Sequence, residues 1–294
     1  MLTILETGPL STVQDLGRRG RAHEGIPRSG AADRAALRLA NRLLGAPEDS
    51  PAIETTLGGL RLVSDHAVTL VVTGAPCTVR VGGRRAYSHG LLVARAGEEV
   101  AVEPPVLGLR SYLTVNGGLR VPRLLGSASE DVLSGIAPLP LAPGTTIEVG
   151  PPAAELGWVA DVVPPPRGLP HPGADATLLV EPGPRAAWTD AASWHRLLHE
   201  PFTVGQQSNR VGVRLEGPRL ERTDGRELPS EGVVPGAVQL PSGGGPVAFL
   251  ADHPTSGGYP VVAVVTAASM PTLAQLRPGD RVRLRRAGAA TRRR

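Results

Sequence analysis

Lysine does not occur in these 294 residues, so every basic side chain in the Lys+Arg count of 31 is an arginine. That absence excludes a Schiff-base mechanism and the phosphate loop of Walker A type, both of which need a lysine amine. Cysteine is limited to Cys77. There is no disulfide framework and no Cys-based metal site, and a reducing cytoplasm fits this usage. Aromatic residues make up only 3% of the chain, so the core must be aliphatic, built from Leu, Val and Ala. Long apolar runs are missing too. The longest, from Tyr259 to Met270, is too short and too interrupted to span a bilayer. The start, Met1 to Glu6, lacks the charged and apolar regions of a signal peptide. The expectation is a cytoplasmic protein with no membrane partner.

An apolar share of 41% is enough for a packed core, and the length suits two ordinary domains or one large β domain. Glycine (37) and proline (30) are plentiful but aperiodic, which excludes collagen and indicates many turns. The pI of about 10.1 suggests nucleic acid, but the charge is misplaced for that. Five arginines crowd the last ten residues, and removing them takes the formal charge from +4 to −1. The body is near neutral and no nucleic-acid partner is expected.

The densest chemistry lies in residues 12–33, a polar, glycine-punctuated loop with Gln14, Asp15, Arg18, Arg19, Arg21, His23, Glu24, Ser29, Gly30 and Asp33. Asp15, Glu24 and His23 are acid or base candidates. Arginine forks suit carboxylate or phosphate oxygens. Ser29-Gly30 lies near a helix start, where free N–H groups favour anions. Asp33 is placed to N-cap a helix of residues 34–44, whose apolar positions Ala36, Leu37, Ala40, Leu43 and Leu44 keep helical spacing, and Gly45 ends it. The simpler alternative is a capped surface loop in which Asp15 pairs with Arg18.

Short β-branched runs follow at residues 60–63, 67–73, 77–81, 90–94, 99–102, 110–115 and 145–149. Strands this close, with one helix, suggest a closed or nearly closed barrel. Asn116-Gly117-Gly118 reads as a hairpin turn. Residues 150–174 hold seven prolines and read as a linker. The pattern then restarts with a helix at 189–199, a helical turn at 270–276, and strands at 176–180, 202–204, 211–215, 236–240, 247–250, 261–265 and 281–284. The expected organisation is therefore an N-terminal β domain over 1–150, a linker over 151–174, a C-terminal β domain over 175–286 and a disordered arginine tail over 287–294. His195 and His199 share one helix face, but no third ligand is evident, and no metal site is expected.

Three further polar clusters sit in the second half. Gln206-Gln207-Ser208-Asn209-Arg210 leads into a strand; Ser230-Glu231 opens a segment ending at Gln239; Asp252-His253-Pro254-Thr255-Ser256-Gly257-Gly258-Tyr259 leaves a strand at a glycine pair. Each is also readable as a turn with side-chain caps.

Taken together, these blocks resemble a known family. Thr12 to Gly20, Gly25 to Arg34, Leu37 to Gly45, Ser208 to Gly217, Ser230 to Gln239, Ala251 to Pro260 and Leu276 to Asp280 are similar to the carboxyltransferase-domain, or allophanate-hydrolase-subunit-2, family, whose bacterial members include KipA-like proteins and the C component of 5-oxoprolinase. The resemblance covers roughly residues 3–284. It implies two cyclophilin-like β-barrel domains, each with one or two short helices, a mainly β fold. It implies an ATP-dependent opening of 5-oxoproline to L-glutamate, with Mg2+ accompanying the nucleotide, through a phosphorylated lactam that water then attacks. It implies partners: a KipI-like B component and a LamB/YcsF-like A component of the same enzyme.

The alternatives within the family are a biotin-dependent carboxyltransferase half acting on a urea-like amide, and a non-enzymatic regulator binding a KipI-like partner. Without lysine, biotin would have to arrive on a partner protein. The residues carried over are Asp15, His23, Glu231 and Asp252 for catalysis. Arg18, Ser29, Gly30, Asp33, Gln206, Ser208, Asn209, Arg210, Gln239, Thr255, Gly257, Gly258 and Tyr259 are carried over for substrate or anion binding. His253 stands where many relatives have arginine, Val211 and Val213 where they have Met and Tyr, and Ala32 where Met is common, so a pocket of altered shape is expected.

Overall fold

The computed structural model of this chain describes residues 1–152, 163–166, 168–171, 173–223 and 225–288. The central part of the expected linker and most of the arginine tail lie outside the described residues. The fold is mainly β, with 36% strand and 12% helix. It divides into two compact units: Met1–Arg18 with Ser29–Arg167, and Arg19–Arg28 with Gly168–Arg294. The middle of the polar loop therefore belongs to the second unit, although its two ends belong to the first.

The first unit has two sheets. One runs in the order Leu119–Arg120, Thr146–Val149, Leu2–Thr7, Leu60–Ser64, Glu99–Val102, Thr78–Val81, Arg84–Tyr87; the other runs Leu10–Gln14, Ala52–Thr56, Arg110–Val115, Val68–Gly74, Leu91–Ala94. Alternation sets what faces inward. Leu2, Ile4, Leu60, Leu62, Val79, Val100 and Val102 from the first sheet meet Ile53, Leu70, Val72, Leu113 and Val115 from the second in one aliphatic cluster. The opposite face of the second sheet is covered by helix α1 (Arg34–Leu43), where Leu37 packs with Tyr112 and Ala52, and Ala40 and Leu43 pack with Val71. Strand Arg110–Val115 is thus covered on both faces, and all six of its residues are buried.

In the second unit seven strands close into a barrel in the order Ala176–Pro182, Val261–Val265, Ala237–Gln239, Val247–Phe249, Gly212–Glu216, Pro201–Val204, Arg281–Arg286. The last strand pairs in parallel with the first, from Ala176↔Val282 to Val180↔Arg286. Closure leaves no unpaired edge in this barrel. Helices α2 (Ala191–His199) and α3 (Met270–Gln275) complete the unit, and a two-stranded ribbon pairs Glu231 with Gly257 and Gly232 with Ser256.

The structure corrects several readings. The start of the expected loop, Thr12 to Gln14, is strand, paired with Ala52–Thr56. Strands Ala52–Thr56 and Arg84–Tyr87 also go unread in the sequence, because Glu54, Arg84 and Arg85 interrupt their apolar pattern. Asn116-Gly117-Gly118 is a turn but not a hairpin: Leu119–Arg120 pairs with Thr146–Val149, not with Arg110–Val115.

His89 is a titratable group inside the first unit. It has φ 67°, its N–H donates to the Val72 carbonyl at 2.7 Å, and its ring is 2% exposed. Burial pushes its pKa down to about 4, only partly opposed by a hydrogen bond with the Gly74 backbone. The unfolded chain binds this proton near pH 6.5, so the stability that neutral His89 contributes is complete above that value and is lost as pH falls towards 4. Urea denaturation between pH 7 and 4 should show a loss approaching about 3 kcal/mol from this group. The component should vanish in His89→Asn, which tolerates the positive φ.

Candidate functional site

Asp15 ends strand Leu10–Gln14 and is 3% exposed. Its carboxylate accepts from Ser127 Oγ and Ser129 Oγ, both at 2.6 Å, from the Ala128 N–H at 2.8 Å and from the Gly17 N–H at 2.7 Å, with Arg123 Nη1 at 3.4 Å. Burial pushes its pKa up, but the donors from Ser127, Ser129, Ala128 and Gly17 outweigh burial and hold it below the ordinary carboxylate value. A carboxylate surrounded in this way anchors the ends of the loop. Segment 127–130 receives the neighbouring loop residues as well. Gln14 Nε2 donates to the Glu130 carbonyl at 2.9 Å, Arg18 Nη2 to the Ser129 carbonyl, and Ser29 Oγ to the Glu130 carbonyl at 2.8 Å.

The far end of the loop closes onto the same place. Ser29 has φ 52° and Gly30 φ 97°, and the Ala31 N–H donates to the Asp15 carbonyl at 2.9 Å. A Cβ on Gly30 would lie 2.9 Å from the Gly17 nitrogen, so only glycine permits this approach. Beneath it lies a buried polar set. The Ala32 N–H donates to Glu54 Oε2 at 3.0 Å, the Asp33 N–H to Tyr112 Oη at 2.7 Å, and Tyr112 Oη to Glu54 Oε2 at 2.7 Å; Arg110 Nε is 3.5 Å from Glu54 Oε1. Burial first, then the Glu54 charge, raise the Tyr112 pKa well above its ordinary value, so its proton stays in place. Asp33 caps α1 as expected, accepting from the Ala36 N–H at 3.0 Å. Between the two pinned ends, Ala22–Glu24 forms a 3-10 turn in which Arg21 Nη1 pairs with Glu24 at 2.7 Å and His23 is three-quarters exposed.

In the second unit Arg210 and Asp252 form a bidentate pair with Nε–Oδ2 2.9 Å and Nη2–Oδ1 3.0 Å, at 1% and 0% exposure. Asp252 thereby ties the segment after strand Val247–Phe249 to the segment before strand Gly212–Glu216. His253, beside it, sets Nδ1 2.7 Å from the Pro254 carbonyl. Asn209 Oδ1 accepts from the Val211 N–H at 2.8 Å, and Ser208 Oγ from the Arg214 N–H at 3.0 Å, so these two shape the turn, while Gln206 is exposed.

The third and fourth clusters do meet. Glu231 pairs with Gly257 across the ribbon, the Thr255 carbonyl accepts from the Val233 N–H at 3.0 Å, and Gln239 Nε2 donates to the Tyr259 carbonyl at 3.0 Å. Glu231 is held by the Arg185 guanidinium, whose hydrogen bonds lower its pKa. Beside them a cavity of about 460 Å³ is lined by Arg222, Arg226, Glu227, Ser242, Gly258 and Tyr259 among others. Sequence reasoning missed Glu54, Tyr112, Ser127, Ser129, Arg185, Arg222 and Arg226. The small polar run Ser127-Ala128-Ser129-Glu130 was the one local signal available. Among the described residues no group of three or more His, Cys, Asp or Glu is placed to hold a metal ion, and no helix is long and apolar enough to cross a membrane.

A two-unit, mainly β protein with a polar loop clamped at both ends and buried arginine–carboxylate pairs is the class these features define. The chain belongs to the family described as carboxyltransferase domain, subdomain A and B, whose model matches residues 24–286. It is 36% identical over 283 residues to the C component of 5-oxoprolinase from Escherichia coli (strain K12), covering 95% of this chain and 89% of that protein. It is 30% identical to urea amidolyase of Lachancea kluyveri, covering 95% of this chain but 16% of that protein. Among solved structures, that of TTHA0988 is 31% identical with TM-score 0.85, and this chain spans about half of it, 55%. The urea carboxylase of Kluyveromyces lactis is 27% identical, also with TM-score 0.85, over 98% of this chain and 27% of that one.

Two substitutions test the anchoring roles by urea denaturation. Arg210→Ala leaves Asp252 buried without its fork and should cost roughly 3–5 kcal/mol, whereas the double change Arg210→Met with Asp252→Leu should cost less. Gly30→Ala should cost about 2 kcal/mol or more, because both the φ and the space oppose a side chain.

Proposed function

We propose that this chain is the C component of an ATP-dependent 5-oxoprolinase, which opens 5-oxoproline to L-glutamate together with a KipI-like B component and a LamB/YcsF-like A component. The observation that carries the reading is the match of similar length at 36% identity to a protein named as the C component of 5-oxoprolinase, 89% of which is covered. The urea amidolyase match covers 16% of a much longer chain. With no lysine here to carry biotin, a carboxyl-transfer role would need still more from other proteins.

ATP supplies a phosphoryl group that makes the oxygen of an unreactive lactam a leaving group. The donors on this chain fit an anion: Arg222 and Arg226 line a cavity together with Ser242 and Tyr259. They do not make a metal cage, so Mg2+ would be held chiefly by phosphate oxygens or by a partner protein. Ring opening breaks the C–N bond, and the departing nitrogen must take up a proton. With Asp15 and Asp252 saturated, the exposed His23 and Glu24 and the half-buried Glu231 are the acid and base candidates that remain. Asp15, Ser29, Gly30 and Asp33 act by holding the loop, and Arg210 and Asp252 by holding the barrel end. Tyr259 and the Gly257-Gly258 backbone lie where a substrate oxygen can be met.

The test is glutamate release from 5-oxoproline by this chain reconstituted with its KipI-like and LamB/YcsF-like partners. Release should require ATP and all three proteins; its absence with all three present and folded would sink the reading. His23→Ala, on an exposed side chain, should leave the melting temperature within about 1 °C of the parent, in keeping with surface changes of roughly 0.5 kcal/mol or less. It should lower turnover at least tenfold, the scale of general acid–base catalysis being about 100-fold or more. Unchanged turnover removes His23 from the site.

A further inference from the structure

We infer that the second unit carries an oxyanion-binding site at the cavity of about 460 Å³ lined by Arg222, Arg226, Ser242, Gly258 and Tyr259, taking the carboxylate or phosphate group of a small molecule. Trp188 organises its basic wall. The guanidinium carbons of Arg185, Arg222 and Arg226 lie 5.7, 5.7 and 5.9 Å from its ring centroid. Three cations on one indole attract the ring but repel one another. For Arg185 the repulsion is offset by Glu231. Arg222 makes no ion pair among the described residues. Its Nη2 donates to the Arg226 carbonyl at 2.9 Å, and its Nε is buried without a partner.

An anion in the cavity would offset the mutual repulsion of these guanidinium groups. The volume lies within the roughly 300–1,000 Å³ range of small-molecule sites. Among the described residues its wall sets two arginines against one acid, Glu227, and adds the hydroxyls of Ser242 and Tyr259 as neutral donors. Gly258 allows the wall to close, since a Cβ there would lie 3.1 Å from the Leu228 carbonyl. A guanidinium fork is the group best matched to planar carboxylate and to phosphate. The site rests on the reading above only for which anions to try, 5-oxoproline for a carboxylate and ATP for a phosphate.

The experiment uses the full chain with Trp158→Phe and Trp194→Phe, which leaves Trp188 as its one indole. Emission is titrated with 5-oxoproline, with 2-pyrrolidone (the same ring without the carboxylate), with inorganic phosphate and with ATP. A saturable shift with 5-oxoproline and none with pyrrolidone assigns the site to a carboxylate. A shift with phosphate and ATP and none with 5-oxoproline assigns it to a phosphoryl group; either result supports the site. Arg222→Gln should raise Kd at least tenfold. Glu227→Gln, by removing an acidic wall residue, should lower Kd several-fold, a gain that a misfolded protein cannot imitate. The site is overturned if none of the anions shifts the emission, if pyrrolidone binds as well as 5-oxoproline, or if Arg222→Gln and Glu227→Gln both leave Kd unchanged. Anion binding without glutamate release by the reconstituted complex would keep this site and reject the 5-oxoprolinase reading alone.

Discussion

A carboxylate removed from water must be given its hydrogen bonds by the protein, and in the first unit that requirement organises the polar loop. Asp15 is 3% exposed and draws donors from Ser127, Ala128, Ser129 and Gly17. Meeting its demand brings segment 127–130 against the end of strand Leu10–Gln14. Once there, the same segment offers carbonyls to Gln14, Arg18 and Ser29. The Asp15 backbone carbonyl then takes the Ala31 N–H, so both ends of the loop are fixed at one point. Glu54 and Tyr112 extend the network to the first residues before α1.

The second unit solves a similar problem with opposite charges held together. Arg210 and Asp252 are buried as a bidentate pair, one just before strand Gly212–Glu216 and the other just after strand Val247–Phe249. In both units the fully buried charges hold backbone segments together, while His23 on its turn, Glu231 with Arg185, Tyr259 and the arginines round Trp188 stay accessible.

Much of the fold was legible locally. Strands Glu99–Val102, Arg110–Val115 and Val261–Val265 follow from β-branched runs bounded by turns, and α1 from its apolar spacing and the Asp33 cap. Ala52–Thr56 was not legible, because Glu54 in its centre reads as a surface residue until Tyr112 and Arg110 are known to lie opposite it. Arg84–Tyr87 is an edge strand with exposed side chains and no alternating pattern. The site was readable as a set of segments but not as a set of roles, since a carboxylate that anchors and one that moves protons have the same letter.

By itself the sequence determined the mainly β class, the aliphatic core, the absence of lysine chemistry and the family, because these depend on composition and on order along the chain. The tertiary structure alone decided that the second unit closes into a barrel through a parallel pairing of its first and last strands, which are about a hundred residues apart. It alone decided that residues 127–130 serve Asp15, and that Arg222 and Arg226 share Trp188 beside a cavity. These are long-range pairings. Whether an acid is saturated, or an arginine N–H is left without an acceptor, depends on which distant segment folds against it, and the residue's own neighbours in the chain hold no record of that choice.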